Sequence, residues 1–159
     1  MRTAVFAGTF DPVTLGHVDV VRRGLLLFDE VVVAIGHNPG KQRVLALDVR
    51  TRLVQEATAG LGNVRVESFE GLTVAYAQRV GAVAILRGLR DANDLGFEGP
   101  IAHANCQMAP TVETVFLLTD PALAFVSSSL MREIVSAGGD ASRWLPPGAL
   151  VALKGALRG

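Results

Sequence analysis

Near the amino terminus, Gly8-Thr9-Phe10-Asp11-Pro12-Val13-Thr14-Leu15-Gly16-His17 puts hydroxyls, a carboxylate and an imidazole into one Gly/Pro-punctuated stretch. Three further segments carry complementary chemistry: Lys41 behind His37-Asn38-Pro39-Gly40, Arg87 and Arg90 around Gly88-Leu89, and Ser127-Ser128-Ser129. Cations, hydroxyls and one imidazole, with no evident nucleophile–base pair, suit phosphoryl or nucleotidyl transfer. In that chemistry the protein mostly positions the reactants and neutralises charge developing on phosphate oxygens. Each residue also has an ordinary reading. His17 can cap a helix, Lys41 can be a solvated loop charge, and Arg87 and Arg90 can pair with Asp91 or Asp94. The three serines can be redundant caps. The first reading gains because one class of fold brings all four segments to one rim.

That fold is legible in the hydrophobic pattern. Ala4–Ala7, Val31–Ile35 and Val83–Leu86 are continuous apolar runs, as expected of parallel strands covered on both faces. Val64–Phe69 alternates instead, which places it at a sheet edge, and Thr114–Leu118 reads as a fifth strand. Between the strands lie helical patterns. One follows the first motif through Val18, Val21, Leu25 and Phe28. Others span about Asp48 to Ala59, Leu72 to Val80, Ser127 to the Gly138-Gly139 stop, and Pro146-Pro147 to Leu157. Ala92 to Met108 has helical composition but holds Gly96, Gly99 and Pro100, so it is expected to be broken or to begin late, near Pro100. The alternation predicts a single α/β domain over residues 1–159, a Rossmann-like, doubly wound, five-stranded parallel sheet. Ligands in such sheets bind at the carboxyl ends of the strands, where strand order reverses. Thr9 and His17 follow the first strand, Lys41 the second, Arg87 and Arg90 the fourth, and the serines the fifth. The turn before His17 is also expected to leave helix-start N–H groups open to a phosphate.

Composition narrows the alternatives. Fifteen basic residues balance fifteen acidic ones, so no net field favours nucleic acid or a membrane surface, and any anion site must be local. The single cysteine, Cys106, excludes an intramolecular disulfide and a multi-cysteine metal site. No apolar run is long enough to span a bilayer, and Met1-Arg2-Thr3 leads into a strand, so the cytoplasm is the expected compartment. His37 and His103 have no assignable partners, and no metal-ligand spacing is present.

Thr9-Phe10-Asp11-Pro12 with Thr14-Leu15-Gly16-His17 resembles the (H/T)xGH signature of the nucleotidyltransferase superfamily. Arg87-Gly88-Leu89-Arg90 is similar to its second signature, and Phe125-Val126-Ser127-Ser128-Ser129-Leu130-Met131-Arg132-Glu133 to a neighbouring segment. With the Asn38–Lys41 loop and the Gly139-Asp140…Leu145-Pro146 close, nearly the whole chain resembles the bacterial phosphopantetheine adenylyltransferases. That resemblance implies AMP transfer from ATP to 4′-phosphopantetheine, Mg²⁺ accompanying ATP with no protein metal ligands, coenzyme A-type products and a homohexamer. It implies reaction groups Thr9, His17, Lys41, Arg90 and Ser128, with His17 steadying the α-phosphate. ATP contacts are implied for Thr9, Phe10, His17, Gly88, Leu89, Arg90, Glu98, Leu123, Ala124, Phe125, Val126, Ser127, Ser128 and Ser129. Acceptor contacts are implied for Thr9, Lys41, Val74, Arg87 and Asn105. Relatives carry Asp-Phe-x-Tyr-Glu where this chain has Asp94-Leu95-Gly96-Phe97-Glu98, and often a Ser or Thr cap at Ala46. Other nucleotidyltransferase acceptors, or a non-catalytic nucleotide-binding module, are the alternatives.

Overall fold

The five apolar segments pair side by side as expected. The computed structural model describes residues 1–158. Its strands are β1 (Thr3–Gly8), β2 (Glu30–Gly36), β3 (Val64–Phe69), β4 (Ala84–Leu89) and β5 (Glu113–Leu118). They form one parallel sheet in the order β3-β2-β1-β4-β5. The continuous runs are central: Ala4, Val5, Val31, Val32, Ala34 and Ile35 have no exposed surface. The alternating segment β3 is an edge strand, as its pattern requires.

Helices α1 (Leu15–Gly24) and α2 (Leu47–Thr58) cover one face, and α3 (Thr73–Arg79) and α4 (Ala92–Met108) cover the other. Val21, Val33, Leu53 and Leu86 meet in the first core, and Val5, Val32, Ile85 and Tyr76 in the second. Helices α5 (Ser128–Ser136) and α6 (Pro147–Arg158) pack on each other through Met131, Val135 and Leu153, after a 3₁₀ turn at Pro121–Leu123. The chain lays β1, β2 and β3 in one direction, then crosses back to place β4 on the other side of β1. The reversal therefore lies between β1 and β4, and a crevice opens at their carboxyl ends.

Three boundaries differ from the sequence reading. Helix α1 stops at Gly24, short of Leu25 and Phe28, because Leu26 and Leu27 donate to the carbonyls three residues back and tighten the last turn. Strand β4 runs on through Arg87-Gly88-Leu89, which pair with Phe116-Leu117-Leu118, so Arg87 lies within the strand and not after it. Helix α4 is continuous from Ala92 to Met108 with Pro100 inside it, and is neither broken nor late. Asp91 starts it by accepting from the Asp94 N–H at 2.9 Å. Proline leaves only one carbonyl of that ladder without its donor, that of Gly96.

Candidate active site

The turn after β1 is built around one imidazole. Thr14 is the N-cap of α1, and its Oγ1 accepts the His17 N–H at 3.3 Å. His17 Nδ1 accepts the Thr14 N–H at 3.0 Å, so the ring takes the place that Glu or Gln holds in the usual capping box. That bond occupies the Nδ1 lone pair, and the neutral ring therefore carries its proton on Nε2. Burial, with the guanidiniums of Arg87 and Arg90 close by, lowers the His17 pKa from 6.5 to about 4. Phe10 packs edge-on against the imidazole with ring centroids 5.0 Å apart. Its backbone is left-handed (φ 50°), a conformation that costs about a kilocalorie per mole for a residue with a Cβ and is offset by burial of the ring. Gly8 makes room for that ring: a Cβ there would lie 3.0 Å from Phe10 Cζ. The helix start is less open than expected. The Leu15 N–H is already bonded to the Trp144 carbonyl at 2.9 Å, and that of His17 to Thr14.

A second turn, Gly36 to Ala46, is clamped to the first. Asp11 is buried, and its carboxylate accepts the Val44 and Leu45 N–H groups at 2.9 and 2.8 Å. Arg50, 2% exposed, donates to the carbonyls of Thr9 (2.7 Å), Leu45 (3.2 Å) and Gly36 (3.3 Å). One buried guanidinium thus fixes the three stretches of backbone that carry Thr9 and Lys41. Burial pulls its pKa down, and Asp11 opposes that shift. Neither Asp11 nor Arg50 announces this role in the sequence, because the contacts that tie the two turns together, Asp11 to Val44 and Arg50 to Thr9, join residues more than thirty apart.

On the far side of β1, α4 presents carboxylates to the arginines of β4. Glu98 takes Arg87 in a fork, with Nε at 2.9 Å, while Arg87 NH1 donates to the Ala7 carbonyl at 2.5 Å. Asp94 takes Arg90 through Nε and NH2, each at 2.9 Å, and accepts the Arg90 backbone N–H at 2.8 Å. The Arg90 fork holds the Asp94 carboxyl below its ordinary range. The continuous helix makes this possible, since residues four apart lie on one face. Of the two pairings the sequence suggested, Asp94 with Arg90 occurs; Arg87 has Glu98 instead. His37, left without a partner by sequence reasoning, has Nε2 3.7 Å from Glu70.

The serines begin α5 as caps and ties. Ser127 Oγ accepts from the Leu130 N–H at 3.1 Å, and Ser128 donates its hydroxyl to the Pro12 carbonyl at 2.8 Å. Arg132 donates to the Asp11 carbonyl at 2.6 Å and to Ser129 Oγ at 3.2 Å. The start of α5 is thereby fastened to the turn that carries His17.

These pieces line three hollows that share Thr9. One, of about 290 Å³, is walled by Thr9, His17, Gly88, Arg87, Arg90, Val126, Ser127 and Ser128. A second, of about 270 Å³, lies under α4 between Thr9, Phe69, Thr73, Arg87, Glu98, Ile101 and Asn105. The third, of about 400 Å³, opens between His37, Lys41, Arg43, Glu70 and Thr9. His17 and Lys41 therefore sit in different hollows on one rim, joined through Thr9. The remaining expected residues lie elsewhere. Val74 is buried in the core beside Tyr76, and its neighbour Thr73 faces the cavity. Phe10 and Leu89 are buried. Leu123 packs against the α5–α6 core, with Ala124 next to it, and half-exposed Phe125 stands edge-on to Trp144 at 5.3 Å. Ser129 meets Arg132.

Residues 5–134 match the family model described as cytidylyltransferase-like. A phosphopantetheine adenylyltransferase of Thermosynechococcus vestitus is 48% identical over 143 residues, 90% of this chain and 85% of that protein. One of Herpetosiphon aurantiacus is 44% identical over 154 residues, 97% of this chain and 93% of its own. A solved Vibrio parahaemolyticus structure assigned as a nicotinate-nucleotide adenylyltransferase shares the fold, with a TM-score of 0.71 over 96% of this chain and 99% of that one, at 21% identity.

Proposed function

This chain belongs to the phosphopantetheine adenylyltransferase family, and from that premise we propose how its rim carries out the reaction. AMP passes from ATP to 4′-phosphopantetheine, giving dephospho-coenzyme A and pyrophosphate. The observation that carries the reading is the hollow in which a neutral imidazole, two guanidiniums and the start of α5 converge on Thr9. ATP takes that hollow, and its α-phosphate faces His17. The acceptor lies across Thr9, its phosphate toward Lys41 and its pantetheine arm along Phe69, Thr73 and Asn105 under α4.

A phosphate monoester has a second pKa near 6 and is already an anionic nucleophile at neutral pH, so no general base is required. An acceptor oxygen attacks the α-phosphorus in line. The new P–O bond forms as the bond to the bridging oxygen breaks, and pyrophosphate leaves with that electron pair. His17, neutral, donates Nε2–H to an α-phosphate oxygen and stabilises charge there without adding a net cation. Arg90 gives Nε and NH2 to Asp94, which leaves NH1 free for phosphate oxygens. Arg87 commits three of its five N–H donors to Glu98 and the Ala7 carbonyl, so it is held as part of the wall between nucleotide and acceptor. The carboxylates that α4 brings to the rim, Asp94 and Glu98, are committed to these arginines. The phosphates of ATP, and no side chain of this chain, would hold the accompanying Mg²⁺, which would offset their charge. The compartment we assign is the cytoplasm; none of the described helices is long and apolar enough to cross a membrane.

The test is pyrophosphate release with ATP or CTP against a panel of acceptors: phosphopantetheine, nicotinate mononucleotide and a polyol phosphate. Release only with ATP and phosphopantetheine is expected. Preference for another pair would replace the acceptor assignment, and nucleotide binding without turnover on any acceptor would replace catalysis by a binding role.

A further inference from the structure

The rim's cations fall into two kinds. Arg87 and Arg90 are each gripped by a carboxylate of α4. Lys41 and Arg43, in the third hollow, have no carboxylate within ion-pair distance among the described residues. The acid that lines that hollow, Glu70, is turned to His37. Gln42, between the two cations, does not face the hollow.

The backbone on both sides of this pair is fixed. The Lys41 N–H donates to the Asn38 carbonyl at 3.0 Å, Gly40 to Asn38 Oδ1 at 3.0 Å, and Val44 to Asp11 at 2.9 Å. Arg43 is thus the residue next to the Asp11 anchor, and its position relative to Thr9 is set by the same clamp that sets Lys41. In a chain of zero formal charge, two unpaired cations aimed into one hollow are a local anion site.

We infer that Arg43 is a second phosphate-binding residue for the acceptor, working beside Lys41. This rests on the reading that the acceptor phosphate docks on the Lys41 side of Thr9. A phosphate dianion carries two charges, and one ammonium meets only half of them. A guanidinium adds a planar fork that takes two oxygens at once. The attacking oxygen must stay free to reach the α-phosphorus. Arg43 therefore holds the outer oxygens, and its contribution lies in ground-state binding of the acceptor. Its effect belongs in acceptor affinity and KM, with kcat left alone.

The experiment compares wild type, Arg43→Ala, Arg43→Lys and Gln42→Ala for calorimetric binding of phosphopantetheine, of pantetheine without its phosphate, and of ATP, alongside steady-state kinetics. Arg43→Ala should weaken phosphopantetheine roughly tenfold, the scale of one charge-assisted hydrogen bond. ATP and pantetheine binding, and kcat, should stay within about twofold, and Arg43→Lys should recover part of the loss. The gap between wild type and Arg43→Ala should narrow as ionic strength rises from about 0.1 M to about 1 M, where the screening length drops to about 3 Å. Unchanged phosphopantetheine affinity in Arg43→Ala, an equal loss in Gln42→Ala, or a loss shared with ATP overturns the inference. Failure of the wild type itself to bind phosphopantetheine overturns it together with the acceptor assignment beneath it, and is distinguished by being seen before any substitution.

Discussion

His17 holds the fold through its cap and, in the proposed function, serves the reaction with the same ring. By completing the cap of α1 through Nδ1, it fixes its own tautomer and leaves Nε2–H for the substrate. A pKa near 4 keeps it neutral at any pH where the phosphate acceptor is a dianion. The sign follows directly. Between about 4 and 6.5 the unfolded chain binds a proton at this histidine and the folded chain does not, so its contribution to stability rises with pH across that window. Nitrogen-detected NMR should therefore find the Nε2–H tautomer still neutral at about pH 5.5. An imidazolium, or a proton on Nδ1, at that pH would show the cap to be misassigned. The TxGH spacing revealed His17 in the sequence; the clamp that sets its neighbours was hidden. Asp11 and Arg50 act on backbone atoms of segments far along the chain, and nothing in local periodicity marks such contacts. Val74 shows how fine the resolution must be, since adjacent helix positions face different ways: Val74 lies in the core and Thr73 lines the cavity.

At the scale of elements, the strands were the most legible parts, because continuous apolar runs and one alternating run map directly onto central and edge positions. The absence of a cap at Ala46 was equally plain: α2 begins there without a side-chain bond, with Asp48 in its first turn. Helix α4 was misread, because two glycines and a proline weigh locally against a helix that tertiary contacts stabilise. Its inner face carries Asp94, Glu98 and Asn105 onto the rim. Beside that stripe Phe97, Ile101 and Met108 stand 71%, 42% and 50% exposed, with Phe97, Ile101 and Met108 spaced to share one side of the helix. Such an apolar face on the element that walls the acceptor cavity supports the proposal that copies of this chain meet there in a homohexamer. Light scattering should give about six times the 16.8 kDa chain mass, and Phe97→Asp should shift it toward smaller species. A monomeric wild type would remove the proposal.

For the molecule as a whole, the sheet places its reversal between β1 and β4, so chemistry-bearing groups from four separate segments reach one crevice. Arrangement along that crevice was not legible. Strand order alone brings the imidazole and the lysine to one rim, and the fold then sets them in adjoining hollows with Thr9 between. That separation fits a reaction with two anionic partners, one on each side of the line of attack. On the proposed function it also divides the labour, with His17 assigned to the α-phosphate in the transition state and Lys41 to the acceptor. The most direct measurement is kcat for His17→Ala at saturating phosphopantetheine, with ATP affinity determined on the same protein. A fall in kcat of about a hundredfold or more, with ATP bound almost as tightly as by wild type, is the predicted result. Full kcat with weakened ATP binding would contradict it, because the imidazole would then recognise the nucleotide without stabilising the reacting phosphate.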